Sequence, residues 1–408
     1  MTTLSDPPKS AFRIGMLLSD TRYRSYTFQF IALLAIILSV SYLVSNLLAN
    51  LDRLGQDLSY EFLGAPAGYD INQQPIPYNS QDTHLRATVV GAMNTLIVAF
   101  LACVTATIFG VIAGVLRLSN NWIISKLMSV YVEIFRNIPV LIWLIIIFTV
   151  TANVFAPIAE FRIPRDGSDP ARTLIFGVMA FTNQGVFVPR LTFEAGGMFV
   201  FWTFIASIIG IFVYKSYVKK HLFATGKELP FWLPALAILV VPTLVMYLVL
   251  GRPVGVQLPE MGRFRFEGGL QLRTSFIALW FALSIYTGAF IAENVRAGIL
   301  AISKGQTEAA AALGIRPGRI MSLVVLPQAL RVTIPPLISQ YLNITKNSSL
   351  AIAVGYMDLT GTLGGITLNQ TGRAIECVLL LMLFYLTISL LISLFMNWYN
   401  NSVKLKER

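Results

Sequence analysis

The chain has 408 residues, of which 55% are hydrophobic and 12% charged, with a mean hydropathy of +0.68. That is roughly half the charged fraction of an ordinary soluble domain, too little to cover a water-exposed surface, so lipid must solvate much of the exterior. The net charge of +11 does not point to nucleic acid, because the basic residues crowd short loops between apolar runs, where membrane topology puts them.

A helix needs about 20 mostly apolar residues to cross the hydrocarbon core. The first 27 residues are polar, and the apolar run that follows has no small-residue cleavage site, so it reads as a retained helix rather than a signal peptide. In chain order the candidate spans are 28–48, 88–116, 130–152, 198–218, 231–250, 274–292, 323–345 and 375–397. In the second, Gly110 and Gly114 form a small-xxx-small pair that lets another helix approach closely. The stretch Thr173–Val188 holds Asn183, Gln184 and two glycines, and reads as a re-entrant or surface segment. The seventh span is the least regular, since Pro335–Pro336 interrupts it and Arg331 sits near its start.

With the N-terminus inside, 17 Lys and Arg fall in inner loops and tails against 12 in outer loops, a modest bias of the expected sign. Lys215, Lys219 and Lys220, and the C-terminal Lys404, Lys406 and Arg408, carry most of it, whereas four arginines in 251–273 oppose it. Eight spans with both termini cytoplasmic is the expected layout. Cys103 and Cys377 lie in apolar stretches and read as packing residues, and His84 and His221 stand alone in polar loops, so neither a disulfide framework nor a metal site is expected. No internal repeat is visible, which weighs against the secondary transporters built from repeats.

The most informative loop lies between the sixth and seventh spans, from Glu308-Ala309-Ala310 through Gly314 and Pro317 to Val324 and Leu326-Pro327. Four consecutive alanines favour helix, Gly314 suits the left-handed residue that ends one, and Pro317 suits the first turn of the next. Helix, break and helix at the membrane surface make a rigid knob that a partner could hold and push.

This pattern resembles the signature loop of ABC-importer permeases: E-A-A, three residues, G, nine residues, an aliphatic residue, one more, then L-P, with Val324 where isoleucine is commoner. In that family the loop docks into a groove on the ATP-hydrolysing subunit. The segments Asn94-Thr95-Leu96, Arg117-Leu118-Ser119 and Tyr131 to Pro139 resemble permeases of polar-amino-acid importers. So do Ala292 to Ile299, Ile302 to Gln306 and Lys346 to Ala351. Together they cover 88–152 and 274–398.

The resemblance implies an all-α integral membrane protein of about eight transmembrane helices, containing a five-helix type I ABC-importer permease core. The implied organisation is an N-terminal segment, first helix and periplasmic loop at 1–87, core at 88–152, an insertion with two extra spans at 153–273, core again at 274–398 with the coupling loop at 293–327, and a tail at 399–408. The enlarged layout, with Gly68-Tyr69-Asp70-Ile71 in its long outer loop, looks like the larger permease of the general L-amino-acid transport systems. The implied ATPase-coupling residues are Glu308, Ala309, Ala310, Gly314, Leu326 and Pro327. The implied partners are an ABC ATPase subunit that carries the ATP and Mg, a second related permease, and a periplasmic solute-binding protein. The implied place is the bacterial inner membrane. No cofactor is expected on this chain.

An amino acid crossing the midplane needs polar groups to replace its hydration. Candidates are Asn94, Thr95, Glu293, Arg296, Asn343, Lys346, Asn347, Ser348 and Glu376. Each has a plainer reading. Glu293 and Arg296 share a helix face and can form a structural ion pair, Lys346 can snorkel, Glu376 can be interfacial, and Asn94 and Thr95 can cap the polar start of the second span. No G-x-x-x-x-G-K-[ST] loop, metal cluster or activated nucleophile is present, so a gated passage rather than an enzyme is expected. The alternative is a secondary transporter or channel driven by an ion gradient, which leaves the Glu308–Pro327 loop unexplained. A membrane-embedded enzyme would need a catalytic cluster that the chain lacks.

Overall fold

A computed structural model describes residues 15–403, apart from 54, 56 and 165–168. The C-terminal cluster Lys404, Lys406 and Arg408, and the first 14 residues, lie outside the described part. The chain divides into two compact units, 1–62 and 63–408. The first is dominated by one long helix, α1 (Thr21–Arg53), long and apolar enough to cross a membrane by itself.

The second unit is built around two helices, α2 (His84–Leu116) and α7 (Thr274–Leu300). Thr83 starts α2 by accepting a hydrogen bond from the Arg86 amide, an N-cap that satisfies one orphan donor of the first turn. The face of α2 toward α7 is small: Ala99, Ala102, Ala106, Gly110, Ala113 and Gly114 are all buried. Facing them, α7 buries Ala278, Ala282, Ala289 and Ala292. A Cβ added at Gly110 would stand 2.5 Å from Ile291 Cβ and 2.9 Å from the Gly288 carbonyl oxygen, so the backbones approach as the glycine pair suggests. Polar side chains stitch the same seam. Thr105 and Ser284 hydroxyls meet at 2.5 Å and the Trp280 indole donates to Thr105 at 3.1 Å, while from the helix that follows α2 the Tyr131 hydroxyl donates to the Ile285 carbonyl of α7 at 2.6 Å.

The third expected span is not one straight helix. It is α3 (Trp122–Asn137) and α4 (Val140–Val154), bent by 107° at Ile138–Pro139. Proline pushes the residue before it out of the helical region, and Ile138 sits at φ −111, ψ 132. The described residues therefore contain seven membrane-length helices, or eight if this bent pair counts as one span.

After α4 the chain forms a small β unit that a helical reading of the chain did not anticipate. Strands β1 (Ala180–Thr182), β2 (Gly185–Val188) and β7 (Leu270–Arg273) make one antiparallel sheet. The hairpin β5 (Glu260–Met261) and β6 (Phe266–Glu267), and the pair β3 (Arg190–Phe193) and β4 (Val254–Gln257), complete it. Its core is Ala156, Ile158, Phe161, Ala180, Phe187 and Phe266. The stretch Thr173–Val188 is thus surface structure held by strand pairing and not a re-entrant segment. Between β3 and β4 the chain leaves to form a helical hairpin, α5 (Gly197–Thr225) and α6 (Trp232–Val249), turned through Gly226 in the left-handed conformation.

Past α7 comes the short α8 (Lys304–Ala312) and then the long α9 (Pro317–Val354). Pro335 and Pro336 do not break α9; its irregularity is a π turn at Met321–Val325 and a tight 3₁₀ end from Ser348. A second π-type helix at Thr360–Thr367 precedes the last span, α10 (Ala374–Val403).

Candidate functional site

Three regions of the second unit gather the sequence-nominated residues. The first is the knob between α7 and α9. Ser303 in extended backbone precedes α8, Gly314 takes φ +72 beyond its end, and Pro317 occupies the first turn of α9. Ala310 is buried with Ile320 and Val325, against which Ile299, Ile302, Ile315 and Val324 pack. That small core fixes α8 against the start of α9. The alanine face is thereby divided: Ala310 holds the knob together while Glu308 and Ala309 stay exposed. Leu313 is 80% exposed and Leu323 66%, and Leu326 and Pro327 are exposed as well. Large apolar side chains exposed on a polar loop make this a candidate contact surface. Beside it lies a cleft of about 450 Å³, lined by Gln306, Leu323, Val324, Pro327, Gln328 and Arg331.

The second region is an ionic node on α7, about two turns before that helix ends. Glu293 on α7 pairs with Arg296 at 2.6 Å, with Arg117 at the end of α2, and with Arg136 at the end of α3 at 3.9 Å. Arg136 also lies over the Phe290 ring, 5.3 Å from its centroid. The expected Glu293–Arg296 pair is present, and one carboxylate joins three helices at the same membrane face. Replacing Glu293 by Gln leaves the nearly buried Arg117 unpaired, at a cost of about 3 kcal/mol. A clear drop in the thermal midpoint of the detergent-solubilised protein is expected, with partial recovery in Glu293→Asp. An unchanged midpoint would show that the node carries no structural weight.

The third region lies at the opposite ends of these helices. Asn94 and Thr95 are well inside α2, in its third turn, rather than at its start, and both are buried. Asn94 donates to the carbonyls of Gln73 and Met357, each at 2.9 Å, and Thr95 accepts from the Leu359 amide at 3.0 Å. They pin the segment after α9 to α2. The Tyr69 hydroxyl, at 3.0 Å, and the His84 ring, at 3.1 Å, both meet Thr367 in the same segment. Burial raises the Tyr69 phenol above its ordinary value and lifts Tyr78 to about 12, so both remain neutral hydrogen-bonding groups. An open pocket of about 640 Å³ lies here, between Asn72 and the segment's Gly355, Gly361, Gly365, Asn369 and Gln370.

The remaining nominated residues separate. Asn343 and Lys346 are exposed on α9, Asn347 is half-buried, and Ser348 is buried and donates to the Thr345 carbonyl at 2.7 Å. Glu376 is buried in the first turn of α10 and pairs with Arg373 at 3.3 Å. Asp358, which the sequence reading passed over, is fully buried in the third region. Its signal was a lone carboxylate between the apolar run Leu350–Val354 and the glycine-rich Thr360–Thr367. Among the described residues there is no group of three or more His, Cys, Asp or Glu placed to hold a metal ion.

Comparison with known sequences gives one domain family, described as the binding-protein-dependent transport system inner membrane component, which matches residues 203–405. Three curated proteins match along nearly the whole chain. The glutamate/glutamine/aspartate/asparagine transport system permease protein BztB of Rhodobacter capsulatus is 49% identical, over 100% of both chains. The general L-amino acid transport system permease protein AapQ of Rhizobium johnstonii is 41% identical, over 98% of this chain and 96% of its own. The putative amino-acid ABC transporter permease protein YhdX of Escherichia coli is 38% identical, over 98% and 99%.

Proposed function

This chain belongs to the family of binding-protein-dependent transport system inner membrane components, and from that premise we propose that it is the gated passage through which an ABC importer moves L-amino acids inward. It is a multi-pass inner-membrane permease of the amino-acid ABC transporters. The finer reading is that ATP hydrolysis in a separate subunit drives the passage through the knob at Glu308–Pro327.

The observation that carries this reading is the knob itself: a helix, a left-handed glycine and a proline-started helix, with Leu313 and Leu323 turned to solvent. It is fused to α7 on one side and α9 on the other. Through Glu293 the same end of α7 is tied to α2 and α3. A push on the knob therefore reaches four bundle helices with no flexible linker between. The knob face is the cytoplasmic one in this reading, and the third region faces the periplasm, where a solute-binding protein would deliver substrate. In this reading Asn343 and Lys346, which are exposed on a membrane-spanning helix, face a passage shared with a second, related permease, since lipid would be a costly neighbour for both. ATP and Mg belong to the ATPase partner.

The test is to solubilise the chain from its native membrane in mild detergent, identify what arrives with it, and reconstitute uptake. Glutamate, glutamine, aspartate and asparagine, the substrates in the BztB name, are the first to assay. An ATPase and a second permease are expected, with uptake that requires ATP and an added binding protein. The chain arriving alone, with full uptake driven by an ion gradient, would replace this reading by the secondary transporter.

A further inference from the structure

Segment 356–371 joins α9 to α10 at the membrane face opposite the knob. It is flanked by Gly355 at φ +68 and Gly372 at φ +67, and a Cβ at either would meet nothing within 4 Å. Left-handed glycines in open space at both ends are positions where backbone can rotate freely. Between them the segment is held by neutral hydrogen bonds. The Tyr356 hydroxyl donates to the Asn94 carbonyl at 3.2 Å, Asn94 and Thr95 hold Met357 and Leu359, and Thr367 meets Tyr69 and His84. It also sits close: a Cβ on Gly91 of α2 would come within 2.9 Å of the Asp358 carbonyl oxygen.

Inside this contact lies Asp358, with no exposed surface. Oδ1 accepts from the Gly361 amide at 2.8 Å, whereas Oδ2 is buried with no hydrogen bond of good geometry. Besides the Gly361 amide, the groups that face the carboxyl are the amide and hydroxyl of Thr360 in its own segment and the hydroxyl of Tyr385 of α10, the two hydroxyls meeting at 3.0 Å. Thr95 of α2 and Ser348 of α9 stand behind Tyr385. The titratable neighbours are Tyr356 and Tyr385, both phenols. Among the described residues Asp358 has no basic partner, and Arg373, the nearby cation of the α10 start, pairs with Glu376. A buried carboxylate with no counter-charge is costlier than the neutral acid, which can itself donate from Oδ2 to a neighbouring hydroxyl.

We propose that Asp358 is a proton-binding site, occupied while segment 356–371 is packed on α2 and vacated when the segment swings away on its two glycines. Burial raises the carboxyl from about 3.8 to about 7 in the packed state. The packed state therefore binds one more proton than the lifted state from about pH 4 upward to about 7. Across that window lifting becomes about tenfold easier per pH unit, and above pH 7, where both states are ionised, it no longer changes. An open pocket lies beside the Asp358 neighbours Tyr356, Met357 and Gly361, so water stands close to the buried carboxyl once the segment moves.

Cys377 supplies a native reporter. It is fully buried at the start of α10 beside Thr371 of the segment, so lifting the segment is expected to open it to a thiol reagent. The full-length chain, in lipid nanodiscs with the subunits that co-purify, would be labelled between pH 5 and 8 with a water-soluble maleimide. Rates would be corrected for thiol ionisation with a reference peptide, and Cys103→Ser would remove the other thiol. Labelling is expected to rise by an order of magnitude or more from pH 5 to pH 7 and then level off, and in Asp358→Asn to be slow and flat. Infrared spectra with isotope-labelled aspartate should show a neutral buried carboxylic acid that titrates near pH 7 and is missing in the variant. The infrared titration of the unsubstituted chain stands even if the variant does not accumulate. An aspartate signal already fully ionised at pH 5, or identical labelling profiles with and without Asp358, would overturn the proposal.

Discussion

Replacing Gly110 by Leu is expected to leave almost none of the protein in the membrane. The glycine sits where α2 and α7 come closest, and even one methyl group would stand 2.5 Å from Ile291 Cβ and 2.9 Å from the Gly288 carbonyl oxygen. The second obstacle is backbone and cannot rotate away, so the helices must part. Parting them also strains the Thr105–Ser284 and Trp280–Thr105 hydrogen bonds little more than a turn along. In lipid the helix contact has no hydrophobic drive to fall back on, because tails and side chains are equally apolar, so close packing is most of its strength. Overpacking of this kind costs about 3 kcal/mol or more. Immunoblots of membrane fractions, with thermal unfolding of whatever is recovered, would measure it. Ile112→Leu, on the exposed side of the same helix, should be silent. Normal levels of Gly110→Leu with an unshifted midpoint would mean that the α2–α7 seam is wrongly placed.

Gly314→Asp is expected to abolish uptake, by tenfold or more, while leaving membrane levels and thermal midpoint close to normal. Nothing lies within 4 Å of a Cβ at this position, and φ is +72. Aspartate tolerates the left-handed region better than most residues, so the knob should keep its shape. What changes is its surface: a carboxylate enters a docking face beside the 80% exposed Leu313, and burying it unpaired against a partner is unfavourable by several kcal/mol. The ATPase subunit should be lost from the detergent pull-down in proportion to the lost uptake. Full uptake with the ATPase retained would remove the knob from the coupling scheme.

Sequence made these two sites legible because each depends on local spacing. Two glycines four apart on an apolar run, and an alanine helix bounded by Gly314 and Pro317, have consequences that a few residues decide. Proline at 139 was equally visible, yet the bend it makes, 107°, depends on what the flanking helices pack against. Strands β1 and β2 were missed because alternation over three or four residues is too short to register, and because the second partner of β2, strand β7, lies more than 80 residues downstream. The path residues show the limit most clearly. Asn94, Thr95 and Glu376 were nominated as polar groups on apolar helices, and polarity alone cannot tell a side chain that lines a passage from one that pins a segment. Asn94 and Thr95 spend their hydrogen bonds on Met357 and Leu359, and Glu376 faces Arg373.

The sheet outside the membrane has one more consequence. In the register of β2 and β7, Val188 lies directly opposite Leu270. The chain leaves the sheet at Val188, builds β3, the α5–α6 hairpin, β4, β5 and β6, and returns to the position next door. Residues 189–269 therefore have adjoining ends that a two-residue Asn-Gly turn would span, although excising them also takes Phe266 out of the core of the small β unit. A shortened permease made that way should keep the seam of α2 and α7, the Glu293 node and the knob. By the same geometry, lineages could have gained or shed the extra pair of spans in a single step without disturbing the machinery around them.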